Sequence, residues 1–189
     1  MLQTSLKPKP CAQCGSMFMP FSSTSRVCGR MCASRWVRAQ NDAKKAEHKA
    51  RRAALKTIPD LIKEAQVAFN KFIRARDAVQ GCISCGAPPP DASGLHAGRD
   101  AGHYRSVGSA PHLRFDERNC NAQCVRCNQW RAGNAVDYRL GLVSRIGVSA
   151  VEALEAENAV HKWTREELIE IRKTYAAKAR ELKRTQGEG

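Results

Sequence analysis

The chain has 189 residues, room for one domain with extensions or two small modules, and its 32 Lys and Arg against 18 Asp and Glu leave +14. Such an excess attracts polyanions, because each phosphate neutralised releases condensed counterions, and solubility alone needs far less charge. With no apolar run near about 18 residues and no recognisable signal peptide, nucleic acid is favoured over a membrane surface as the expected partner, and the cytoplasm is the expected compartment.

Residues 1–36 read as loop-like, with Pro8, Pro10, Gly15, Pro20 and a serine-rich turn at 22–25. They carry four cysteines as Cys11-x2-Cys14-x13-Cys28-x3-Cys32. Residues 37–57 predict a basic helix rich in Ala, Lys and Arg. Its apolar face is almost all alanine, so it buries little and is expected to face solvent or DNA. Pro59 can open a second helix at its first position. Leu61, Ala65, Phe69, Phe72 and Val79 recur there at helical spacing, with Gly81 as the stop.

Residues 82–134 are the chemical centre, rich in turns and short strands. Beyond them, Ser149-x2-Glu152 and Thr164-x2-Glu167 both fit the capping-box pattern. The first predicts a helix through about 162, and the second a helix with Leu168, Ile171, Tyr175, Ala179 and Leu182 on one stripe. The expected division is therefore a zinc knuckle at 1–36, two helices at 37–80, a core at 81–145 and C-terminal helices at 146–189.

Nine cysteines at 11, 14, 28, 32, 82, 85, 120, 124 and 127 fall mostly in close pairs. In a reducing compartment, clustered thiols bind metal rather than pair as disulfides. Cys82-x2-Cys85 and Cys124-x2-Cys127 are matched knuckles that suit one tetrahedral zinc ion. The N-terminal quartet suits a second, since zinc tolerates a spacing of three. Disulfides or free core thiols are the alternative. Cys120 is left over and reads as a small buried filler. With only 6% aromatic residues, metal is expected to supply stability that burial cannot.

Between and around the central knuckles lie RDAGHYRS (99–106) and RNCNAQCVRCNQWRAGN (118–134). The order is C-x2-C, a histidine in a strand, then Asn-x4-C-x2-C-Asn. This pattern resembles the HNH and endonuclease VII branch of the ββα-metal nucleases. More closely, residues 81–155 are similar to the NinG (Rap) recombination proteins of lambdoid phages, and the N-terminal knuckle followed by a basic helix suits that family. The resemblance implies an α+β fold, with a small zinc-bound ββα-metal (His-Me finger) core flanked by long helices and an N-terminal zinc knuckle.

By the same resemblance, His103 is the general base, Asn119 supports the hairpin and orients that histidine, and Asn128 is a ligand of a catalytic Mg²⁺ or Mn²⁺. A neutral imidazole can take a proton from water at working pH, and an amide oxygen is a hard ligand suited to these ions. One departure stands out: the family's metal-binding aspartate precedes the base histidine, and here that position is Gly102. Asp100 is the nearest substitute. In a regular strand 100 and 103 point to opposite faces, so a bulge at Gly102 would be needed to join them. Asp116 and Glu117 are fallbacks.

Arg105, Arg114, Arg118, Arg126 and Arg131 are candidate phosphate contacts, although any one of them could simply be solvated. His96, His112 and His161 read as surface histidines, and Tyr104, Trp130 and Tyr138 as core around the metal sites. The function implied is a metal-dependent endonuclease for branched DNA in phage recombination. Symmetric cutting of a junction would call for a homodimer. A non-catalytic zinc module binding nucleic acid and a sequence-specific HNH nuclease remain as rivals.

Overall fold

The computed structural model describes residues 6–89 and 98–187. His96 lies outside them. The chain divides into two compact units, Met1–Lys56 and Thr57–Gly189.

In the first unit, β1 (Lys9–Pro10) pairs antiparallel with β2 (Met17–Phe18). The intervening turn is a knuckle, closed by Cys11 N–H to the Ser16 carbonyl (2.9 Å) and Gly15 N–H to the Cys11 carbonyl (2.9 Å). Helix α1 (Arg30–Ala54) starts well before the expected residue 37. The reason is local: Cys28 and Cys32 are four apart, and winding Cys32 into the first turn after Gly29 carries both sulfurs to the same side. The boundary drawn at 36/37 therefore falls inside a helix. No residue of α1 is buried, in keeping with its alanine-rich apolar face. Arg35, Arg38, Lys44, Lys45, Lys49, Arg51 and Arg52 stand in solvent with only Asp42 and Glu47 beside them.

The second unit opens with α2 (Ile58–Arg76), capped reciprocally by Thr57 and Asp60, with Pro59 inside the first turn. The helix stops at Arg76, before Val79, which is 84% exposed and belongs to no apolar face. Leu61, Ala65, Phe69 and Phe72 do form the predicted stripe and are all buried. They meet α5 (Arg165–Gly187), whose Leu168 and Ala179 are buried in the same cluster. Arg172 bonds Glu64, Lys178 lies over the Phe72 ring, and Gln186 bonds the Ala75 carbonyl. The contacts advance together along both helices, so α2 and α5 run parallel. The Thr164 capping box forms as expected, with Thr164 N–H to Glu167 (2.8 Å) and Glu167 N–H to Thr164 Oγ1 (3.2 Å).

Between them, β3 (Arg99–His103) pairs antiparallel with β4 (Cys120–Cys124) in unbroken register, from Arg99↔Cys124 to His103↔Cys120. A π-type turn (Arg126–Trp130) follows, then α3 (Ala135–Ile146) and α4 (Val148–Ala156). Two expectations fail here. Ser149 does not cap α4: Gly147 does, without a side-chain bond, and the helix ends at Ala156 rather than near 162. Trp130 is 78% exposed rather than core, while Tyr138 is fully buried. Gly141, in the middle of α3, is needed for packing, since a Cβ there would sit 1.9 Å from the Ile83 carbonyl oxygen.

A buried polar network ties the hairpin to its surroundings. Asp77, 1% exposed, accepts from Arg76 (2.7 and 2.9 Å) and from the Ala122 amide (2.8 Å). Arg145 donates to Asn121 (2.8 Å), Asn121 to the Tyr138 hydroxyl (3.2 Å), and Tyr138 to the Gly102 carbonyl (2.9 Å). A buried carboxylate is tolerable only when paired and hydrogen-bonded in this way. The second unit is thus mixed α+β, with helices around the β3–β4 pair, and the first unit joins the β1–β2 pair to one helix.

Candidate functional site

Each cysteine quartet brings its four sulfurs within 4.8 Å of one another. A zinc ion with four thiolates at about 2.3 Å has sulfur–sulfur edges of about 3.8 Å. Cys14–Cys28 at 3.7 Å, Cys28–Cys32 at 3.5 Å and Cys85–Cys124 at 3.8 Å match that edge. Backbone amides also point at sulfur, Cys28 N–H to Cys11 and Cys124 N–H to Cys82, each at 3.3 Å. Burial pushes the Cys82 thiol up, but the amides of Cys124, Cys85 and Ser84 outweigh it and bring its pKa to about 7. Both quartets therefore suit structural zinc, with all eight predicted cysteines as the donors. Cys120 stays outside them, fully buried, its thiol held protonated by burial.

His103 ends β3 and lines a cleft of about 350 Å³ together with Tyr104, Ser106, Asn128 and Gly133. Its Nε2 lies 2.9 Å from the Arg114 carbonyl oxygen. A carbonyl only accepts, so Nε2 carries the proton and Nδ1 is the basic nitrogen. The neighbour of Nδ1 is the Cys120 thiol at 3.8 Å. Burial lowers the His103 pKa below 6.5, with the Arg114 carbonyl opposing and the Arg114 charge assisting. The imidazole is neutral at pH 7, as a general base must be.

Asn119 is buried on β4's approach and binds the loop after His103 from inside. Its Oδ1 accepts from the Arg105 amide (2.8 Å), and its Nδ2 donates to the carbonyls of Arg105 (3.0 Å) and Leu113 (3.1 Å). That loop carries the Arg114 carbonyl that orients His103. Asn119 bonds this loop and does not line the cleft.

Asp100 lies on the opposite hairpin face from His103, because the register holds no bulge at Gly102. Its Oδ2 instead accepts from Asn128 Nδ2 and Gln129 Nε2, both at 2.8 Å. Asp100 and Asn128 thus come together, and their bond fixes the amide flip of Asn128. Asp116 is held by Arg118, and Glu117 by Lys178 and Tyr175, away from Asn128.

The side chain that the sequence did not mark is Gln123. Fully buried on β4, it donates through Nε2 to Ser84 Oγ (2.8 Å) and the Gly133 carbonyl (2.6 Å), which leaves Oε1 without a partner among the described residues. Leaving such an acceptor unpaired costs about 1–3 kcal/mol. A Cβ added to Gly102 would lie 2.2 Å from this oxygen and 3.2 Å from Asn128 Oδ1. The Gly133 carbonyl reaches Gln123 because Ala132, Gly133 and Asn134 all take positive φ, at 49°, 84° and 45°. The Gly-Asn pair at 133–134 was the available turn signal. Nothing in it pointed to Gln123.

The candidate phosphate contacts sort by occupation. Arg105 bonds the carbonyls of Leu154, Glu155 and Glu157 and the Asn158 side chain, closing the end of α4. Arg118 pairs with Asp116 at 2.6 Å, and Arg114 bonds Gln66 at 3.2 Å. Arg126 and Arg131 are exposed on the turn that carries Asn128. His112 bonds the Glu157 carbonyl and His161 pairs with Glu167. No helix among the described residues is long and apolar enough to cross a membrane.

The family model of the bacteriophage lambda NinG protein matches residues 3–186. Curated proteins called "Protein ninG" from Salmonella phage P22 and Escherichia phage lambda are each 46% identical over 140 residues, 74% of this chain and 66% of theirs. The corresponding protein of Escherichia phage 933W is 46% identical over the same length, 67% of its own. The match thus spans about two thirds of these relatives. No solved structure matches the chain.

Proposed function

The chain belongs to the NinG family, and from that premise we propose that it is a metal-dependent, structure-specific DNA endonuclease. Its substrates are branched recombination intermediates, Holliday junctions and D-loops, met in the cytoplasm of a phage-infected or prophage-carrying host. The supporting observation is the neutral His103, its Nε2 tied to the Arg114 carbonyl, lining the same cleft as Asn128. The unit around it is read as a ββα-metal core in which the π-type turn and α3 stand for the helix.

In the reaction, His103 Nδ1 takes a proton from water. The hydroxide oxygen bonds to phosphorus, the bond to the 3′ oxygen breaks, and that oxygen takes a proton from solvent. Asn128 and Asp100 offer a hard cation an amide oxygen, Asn128 Oδ1, and a carboxylate that accepts from Asn128 Nδ2. Mg²⁺ or Mn²⁺ held there would stabilise charge on the crowded phosphate and the departing oxygen. Asn119 is a positioning residue. Arg126 and Arg131, exposed beside Asn128, are the candidate phosphate contacts nearest the chemistry, and a homodimer would supply the two sites that symmetric junction cutting needs.

A second reading, a zinc-stabilised module that binds DNA without cutting it, draws on α1, a basic helix with no buried residue. Labelled four-way junction and matched linear duplex, incubated in Mg²⁺ with zinc-replete wild type and His103→Ala, separate the two. Junction cleavage by the wild type and binding without cleavage by the variant is the expected result. Equal binding with no cleavage by either protein, in Mg²⁺ or Mn²⁺, replaces the nuclease with the binding module. Cleavage of linear duplex at one sequence would instead make it a sequence-specific HNH enzyme.

A further inference from the structure

Of the three tryptophans, Trp36 and Trp163 are half-buried, while Trp130 is 78% exposed. Trp163 packs edge-on against Phe115 and donates to the Pro111 carbonyl. The Trp130 indole has no ring contact and no hydrogen bond among the described residues. So large an apolar face left in water forgoes the burial that tryptophan usually finds. The turn that carries it is firmly tied. Asn128 and Gln129 both donate to Asp100 at 2.8 Å, and the Gly133 carbonyl accepts from Gln123 at 2.6 Å. Asn128, Ala132 and Gly133 of the same stretch line the His103 cleft, so Trp130 stands on the wall of that cleft and faces outwards. Arg126 and Arg131, on either side of it in the chain, are exposed and without an ion pair or hydrogen bond among the described residues. By contrast, Arg105, Arg114 and Arg118 are occupied within the fold.

We propose that Trp130 distinguishes a branch point from continuous duplex, by stacking on a DNA base whose neighbour in the stack is missing. The occupant is nucleic acid because the turn offers both halves of what a nucleotide needs. The indole presents a flat apolar face for a base, and the two free guanidiniums pair with the phosphates beside it. Inside a linear duplex both faces of every base are already covered, so Trp130 has nothing to stack on. Where strands diverge, stacking is interrupted and one base face is open. Every base has such a face, so the contact selects structure and tolerates any sequence. Phosphates, present on all DNA, position the protein without telling one structure from another. The inference rests on the reading of this cleft as the place where branched DNA is cut, and it assigns the branch preference to one side chain.

The test uses zinc-loaded full-length protein, with Ca²⁺ in place of Mg²⁺ so that binding is read apart from cleavage. The probes are a forked duplex carrying 2-aminopurine as its first unpaired base and a linear duplex of the same length. The wild type is expected to quench the 2-aminopurine and to bind the fork roughly tenfold or more tightly than the duplex. Trp130→Ala is expected to lose the quench and most of that preference while keeping its duplex affinity and its zinc. Trp130→Leu, apolar but not aromatic, should behave alike, and Trp130→Phe should keep part of both signals. Quench and preference unchanged in Trp130→Ala overturn the proposal. An equal loss of affinity for both DNAs overturns it too, since the indole is then a general contact. A dimer that becomes monomeric on Trp130→Ala, read by sedimentation, makes Trp130 a contact between copies and has the same force. A Trp130-dependent quench in a protein that cuts no junction in Mg²⁺ or Mn²⁺ refutes the nuclease and leaves this stacking site. A protein that cuts junctions while its fork preference ignores Trp130→Ala does the reverse.

Discussion

The two cysteine quartets have similar sulfur geometry and stand in opposite kinds of protein. Around the N-terminal quartet there are two two-residue strands, a serine turn and a helix without a buried residue; of its four sulfur-bearing residues only Cys11 is buried. Around the central quartet, Cys82 and Cys127 are buried, and two apolar clusters, one with Phe69, Ile73 and Leu168 and the other with Tyr138 and Leu142, lie within the same unit. One unit has little but its cysteine quartet to hold it. In the other, the quartet finishes a structure that apolar burial has largely built. Identical ligand chemistry can therefore be the whole of a fold or one joint in it.

Removing zinc should separate the two most sharply, because a structural site in a small module contributes on the order of 10 kcal/mol of folding free energy. Chelation, or Cys11→Ser, should make Met1–Lys56 susceptible to protease while Thr57–Gly189 keeps its helical pair, as read by mass spectrometry of the fragments. Simultaneous loss of both units would erase the contrast. Phe69→Ala attacks the other side. Its ring is fully buried, 4.7 Å from Tyr175 and 5.7 Å from Phe115, so the change should cost about 3–5 kcal/mol in urea denaturation. It should leave the zinc affinity of the first quartet alone.

Asn119→Ala removes three bonds inside the His103 loop and should cost about 2–4 kcal/mol, with junction cleavage falling alongside. Full activity at reduced stability would show that the loop does not need Asn119 to hold His103. The smallest effect is in pH. Because burial lowers the folded-state His103 pKa below 6.5, the unfolded chain binds more protons just below that value. Stability of the second unit should be complete above about pH 6.5, its unfolded-state value, and decline as pH falls towards the folded pKa. His103→Gln should flatten that decline in thermal melts between these limits.

What the sequence made legible was local. The cysteine pairs, the α2 stripe, the Thr164 cap and the strand holding His103 are all set by spacings of two to four residues. Helix α3 was missed because its entrance runs through left-handed Ala132, Gly133 and Asn134, and because Gly141 interrupts its interior for the sake of the Ile83 carbonyl. The Arg145–Asn121–Tyr138–Gly102 chain joins residues far apart in sequence, which no pattern encodes. Arg105 looked like a phosphate contact because charge alone cannot say that the end of α4 will claim it. Gln123 was invisible for a related reason: its meaning lies in the glycine across the ladder.

The parallel course of α2 and α5 sets the order in which this protein can form. Arg172 meets Glu64 across 108 residues, and Gln186 meets Ala75 across 111. Two adjacent helices that run parallel cannot be joined by a short loop, so the hairpin, its knuckles and two more helices all lie in the connection. Loop closure on that scale is slow, and its entropy is lost before the helix contacts can compensate. During synthesis the apolar stripe of Leu61, Phe69 and Phe72 emerges long before Leu168 and Ala179 exist to cover it. The central knuckle can close in that interval. The core beside His103 therefore closes last, when α5 docks, and a chain cut short within α5 would be left with an exposed greasy groove and no finished base.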